Sequence, residues 1–84
     1  MTSYFAINAS RTWITAGSYG ECLALSLQYC QDNLDEEAYL VRCRAGESKG
    51  LIAFVINAGG YRQSYPHQAI PIKDLKRLQR SQGL

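Results

Sequence analysis

A single histidine, His67, stands in the whole sequence, and the three cysteines include no CxxC pair. Zinc sites built on paired ligands therefore have no matching spacing here. Cys22 and Cys30 fall on one predicted helix, where eight residues of separation put their Cα atoms roughly 12 Å apart. That distance excludes both a shared metal and a disulfide between them. With Cys43 they are expected to be small buried hydrophobes in a reducing compartment. No metal and no cofactor are expected.

Other absences narrow the field further. No apolar run approaches the ~18 residues that span a bilayer. The opening "MTSYFAINASRTW" has no basic stretch leading into an apolar one, so a cytoplasmic protein without a membrane partner is expected. Gly59-Gly60 lacks the further glycines and the lysine of a phosphate-cradling loop. Asp35, Glu36 and Glu37 are adjacent rather than opposed across a cleft, and read as a solvated loop that ends a helix. His67 lies between Pro66 and Pro71, with no local signature linking it to Cys43 or a serine as base. No enzyme is expected.

What remains is the composition of one folded domain. In 84 residues, 46% are hydrophobic and 19% charged, which suits a single α+β domain over residues 1–84. The net charge of +2 conceals a polarity. Residues 1–37 carry −4, from Arg11 against Glu21, Asp32, Asp35, Glu36 and Glu37, and residues 38–84 carry +6. Such an asymmetry can steer a partner or orient self-association, and a homo-oligomer stays open.

Periodicity supplies the elements. Ser3 to Ala9 alternates around Phe5 and Ile7 as a short strand. "SRTWIT" and "AGS" read as a connector broken by Gly17. Ser18-Tyr19-Gly20-Glu21 has capping-box spacing, and the helix it opens should run to about Asp32. Tyr19, Cys22, Leu23, Leu27 and Cys30 share its apolar face, widened by Leu25 and Tyr29. Ala38 to Ala45 alternates, with Tyr39, Val41 and Cys43 on one face and Leu40, Arg42 and Arg44 on the other. After "GESKG", the strand "LIAFVINA" should return as a hairpin, with Ile52, Phe54 and Ile56 together on a core face. "YRQSY" suits a short further strand, and "PHQAIP" is restricted to extended or turn conformations. Ile72, Leu75 and Leu78 recur at helical spacing in "IKDLKRLQRSQ". The predicted fold is a small α+β domain in the order β-α-β-β-(β)-α. Its antiparallel sheet has three to four strands, one long helix packed on it and a short C-terminal helix.

"KGLIAFVI" and "YFAINA" resemble the two ribonucleoprotein signatures of RNA-recognition motifs, and would imply a sheet face that stacks bases. Leu51 stands where that family has an aromatic residue, and Ile56 where it has another. The Phe54-Val55 pair sits one residue late, and no fourth strand follows the last helix. The residues favour a core strand instead.

Binding candidates lie elsewhere. Tyr61, Arg62 and Tyr65 interleave aromatic and basic groups after two glycines, and tyrosine and arginine dominate binding hot spots. Joined to Arg42 and Arg44 on the hairpin, they form the expected partner-binding face. Lys73, Lys76, Arg77 and Arg80 form a second, basic surface on the last helix. The expectation is a non-catalytic binding protein with a macromolecular partner, a protein in the first place and single-stranded nucleic acid (RNA) in the second. Small domains of this kind suit phage- or mobile-element-encoded inhibitors of a host assembly, such as anti-CRISPR proteins.

Overall fold

The computed structural model describes residues 2–63 and 68–82. In chain order its elements are β1 (Thr2–Asn8), β2 (Trp13–Gly17), α1 (Tyr19–Asp32), β3 (Ala38–Arg44), β4 (Lys49–Asn57), β5 (Gly60–Gln63), β6 (Ala69–Pro71) and α2 (Ile72–Gln82). The strands pair antiparallel in the order β2-β1-β3-β4-β5, and β6 pairs with the other end of β4. The α+β class and both helices agree with the sequence reading, but among the described residues the sheet has six strands instead of three to four. Trp13–Gly17, expected as connector, is an edge strand hydrogen-bonded only to β1 among the described strands. Its identity rests on that one partner, since five residues bounded by Gly17 carry little periodicity of their own. Ala69–Pro71 is held the same way, against Lys49–Leu51.

Helix α1 begins where local chemistry says it should. The Ser18 hydroxyl accepts from the Glu21 amide at 3.2 Å, and the Glu21 carboxylate accepts from the Ser18 amide at 3.3 Å. Two of the amides that a helix start leaves free are thereby satisfied. Cys22, Ser26 and Cys30, four residues apart, form its buried stripe. Leu25, expected to widen the buried side, is 47% exposed.

Two cores result, one on each side of the sheet. Ala6, Leu40, Ala38 and Ile56 pack under α1 with Cys22 and Cys30. Ile7, Val41, Cys43 and Ile52 pack on the other side with Ile70 and with Leu75 of α2. Alternate residues of β1 and β3 therefore serve different cores, and β3 is buried on both faces.

The expectation that Ile52, Phe54 and Ile56 share a face is wrong. Leu40 pairs with Phe54 and Val41 with Ile52, so the ladder steps over Ala53 in a β-bulge. The extra residue sends Phe54 and Ile56 to the α1 side and leaves Ile52 on the α2 side. A sheet with a helix on each face also differs from the base-stacking sheet of the RNA-recognition resemblance.

A polar cluster ties the loops at one end of the sheet. Asn8 is buried. Its side-chain carbonyl accepts from the Thr12 amide at 2.8 Å, and its Nδ2 donates to the Tyr29 hydroxyl at 2.9 Å and Glu36 Oε1 at 3.2 Å. Tyr29 in turn donates to Glu36 at 2.7 Å. The β1–β2 turn, the end of α1 and the loop before β3 are thus joined through one buried amide.

Gly50 marks the tightest approach in the sheet. A Cβ there would lie 2.6 Å from Val41 Cγ1 and 2.7 Å from Cys43 Sγ. Gly50→Ala is therefore expected to destabilise the protein by about 2–3 kcal/mol. Gly20, in α1 with open space around it, should instead gain about 0.5 kcal/mol when changed to alanine. Urea denaturation of the two variants measures both.

Candidate docking face on the sheet

The α1 side of the sheet can be followed row by row from the pairing register. The first row, Asn8, Ala38 and Ile56, is buried and ends at Tyr61 on the edge. The second, Ala6, Leu40 and Phe54, is buried except at half-buried Phe54 and exposed Gln63. The third, Tyr4, Arg42 and Leu51, is half-buried throughout, and the row after it, with Thr2 and Arg44, is exposed. Helix α1 covers two rows and stops. Its start explains why: β2 ends at Gly17 opposite Tyr4, and the cap at Ser18 turns the chain back over the sheet.

Four rings line the boundary of that cover. Tyr4 and Tyr19 have centroids 5.5 Å apart, Tyr19 and Phe54 6.2 Å, and Phe54 and Tyr61 5.4 Å. Their interplanar angles of 69°, 62° and 88° make each contact edge-to-face. The row crosses from β1 over the helix start to β5, and its outer members Tyr19 and Tyr61 are 38% and 53% exposed.

Cations flank the rings on the uncovered side. Arg42 sits between Tyr4 and Leu51 in the ladder, and its Nε is shielded from solvent with no hydrogen-bond partner among the described residues. Arg44 and Lys49 follow it outward, both exposed. Among the described residues the one ion pair is Arg77 with Asp74, at 3.4 Å on α2. The sheet-face cations have no carboxylate partner there.

The residues singled out from sequence distribute unevenly over this face. Arg42, Arg44 and Tyr61 lie on the same side of the sheet, with Tyr61 at the edge of the Ala38 row and Arg44 three rows away at the other end of β3. Arg62 does not: it pairs with Val55, and its side of β5 is the α2 side. The β4–β5 pairing runs without a register shift, so consecutive residues alternate and Tyr61 and Arg62 are separated by the sheet. Tyr65 and His67 lie outside the described residues. Lys73, Lys76, Arg77 and Arg80 are exposed on α2, with Leu75 buried beneath them. Tyr4, Tyr19, Phe54, Leu51 and Lys49 were missed as site residues. Tyr4 and Tyr19 carried a signal, as aromatics at the first positions of adjoining elements. Phe54 and Leu51 reach this face together only through the bulge.

The thiols are chemically quiet. Burial pushes the pKa of Cys22, Cys30 and Cys43 above the ordinary thiol value, with nearby Glu21, Glu36, Glu37 or Glu47 adding to the rise. Cys22 and Cys30 serve the core under α1 and Cys43 the core on the opposite side. Among the described residues no group of three histidine, cysteine or acidic side chains is placed to hold a metal ion. No described helix is long and apolar enough to cross a membrane.

No family model, curated protein or solved structure matches this chain.

Raised thiol pKa values have a measurable consequence. The folded state keeps these protons to higher pH than the unfolded chain, so their contribution is complete below the unfolded thiol pKa of about 8.5 and is lost as pH rises beyond it. The urea midpoint should therefore fall above about pH 8.5. A thiol reagent at neutral pH should titrate the cysteines only as the protein unfolds. Rapid labelling of the native protein would contradict this burial.

Proposed function

We propose that the chain is a non-catalytic binding protein that docks a protein partner on the uncovered part of its α1-side sheet face. The observation that carries this reading is the edge-to-face row from Tyr4 to Tyr61, flanked by Arg42 and Arg44 without carboxylate partners among the described residues. Rings already held by their neighbours lose little freedom on binding, and tyrosine and arginine are among the residues enriched at interface hot spots. The partner that fits presents an apolar group surrounded by carboxylates. Such a protein acts by occupying a surface, as a phage- or mobile-element-encoded inhibitor of a host assembly would.

Single-stranded RNA is the second reading for the same residues. Base stacking needs open ring faces, whereas successive rings here stand at 62–88° and pin one another. That favours protein over nucleic acid.

Quantitative recovery of host proteins on the immobilised chain tests the proposal. Tyr61→Ala and Arg44→Glu should each reduce retention of a specific partner by roughly 10-fold or more, with unchanged far-UV circular dichroism. Lys76→Ala with Arg80→Ala, on α2, should leave it intact. Retention that ignores the sheet-face variants overturns the site. Salt-dependent binding of labelled oligonucleotides at micromolar concentration, lost in the same variants, would give the face to nucleic acid instead.

A further inference from the structure

The chain itself carries a segment with the chemistry that this face calls for. Leu34 is 75% exposed, more than any other large hydrophobic residue described. It stands between α1 and β3, in the stretch Asp32-Asn33-Leu34-Asp35-Glu36-Glu37. Asp32 and Asp35 are exposed beside it, and none of these four carboxylates has an ion-pair partner among the described residues.

This loop is held in shape. The Asn33 side-chain amide donates to the Tyr29 carbonyl at 2.8 Å, the Glu36 amide to the Asn33 carbonyl at 2.9 Å, and Glu36 takes the bonds from Asn8 and Tyr29. Leu34 is thus presented by an ordered turn, which lowers the entropic cost of inserting it into a partner.

We infer that the occupant of the docking face is a second copy of this chain, inserted by its Leu34 loop. The inference rests on the docking face proposed above and adds the identity of what fills it. Leu34 would meet the apolar ground of Leu51 and Phe54, the latter backed by Tyr61, and its flanking carboxylates would meet Arg42, Arg44 and Lys49. One copy cannot satisfy itself. The loop precedes Ala38 and the cations gather near Arg44, so the length of β3, roughly 20 Å, separates them. Association is therefore head to tail. Each added copy leaves one loop and one face free, and growth continues unless the rotation between copies closes a ring. The −4 and +6 halves of the sequence orient the encounter, and salt weakens it.

Light scattering of the full chain over a range of concentrations tests this. At low salt the average mass should rise to at least double the monomer value, and high salt should return it to monomer. Leu34→Lys and Arg44→Glu should each be monomeric, because one has lost its loop and the other its face. Mixed, they should form a complex of two chains that grows no further, since the remaining loop and face are both disabled. A monomeric wild type at low salt, association that survives Leu34→Lys, or failure of the mixture to pair overturns the inference. If the wild type is monomeric while Tyr61→Ala still loses an external partner, only the second-copy occupant falls. If neither association depends on Tyr61 or Arg44, the docking face falls as well.

Discussion

One unpaired residue in the central hairpin, Ala53, decides which side chains meet. β3 and β4 carry core residues on both faces, so period-two alternation assigns each of their buried side chains to one of two cores. The bulge at Ala53 shifts that alternation once. Before it, Gly50 and Ile52 lie against α2; after it, Phe54 and Ile56 lie against α1. Without the shift, Phe54 would be under α2 and absent from the aromatic row. The candidate docking face depends on a single extra residue in one strand.

The position of α1 sets the limits of that face. A helix that entered earlier would have covered Arg42 and Leu51. Its start is held by two constraints that agree: the last β2 pairing, Gly17 with Tyr4, and the reciprocal Ser18–Glu21 cap. Their agreement leaves one end of the sheet open on the α1 side, where Tyr4, Arg42, Leu51 and Arg44 grade from half-buried to exposed. It is this open end, with half-buried apolar groups beside cations, on which the proposed docking rests.

The acidic run and the sheet-face cations lie at opposite ends of the sheet. The acidic run follows α1 and lies at the Asn8–Ala38 end of the sheet, tied by Asn8 and Tyr29. Arg44 and Lys49 flank the β3–β4 turn at the other end. Because β3 runs the length of the sheet between them, the two poles cannot neutralise each other within one copy.

Both helices and the β3–β4 hairpin could be read from sequence because their signals are local. The Ser18–Glu21 cap, the Cys22–Cys30 spacing, the alternation through Ala38 to Arg44 and the Ile72–Leu75–Leu78 pattern each need only neighbours in the chain. The chemical character of Arg42, Arg44 and Tyr61 was likewise legible from residue type and spacing. The edge strand Trp13–Gly17, the bulge at Ala53, the parting of Arg62 from Tyr61 and the gathering of Tyr4, Tyr19 and Phe54 were not. Each depends on which residue of one strand lies opposite which residue of another, a register set by distant segments packing together. The sequence by itself determined both helices, the central hairpin and their chemical character. Only the tertiary structure decided which face each side chain serves, because a one-residue offset in pairing costs little locally and reverses every side chain beyond it.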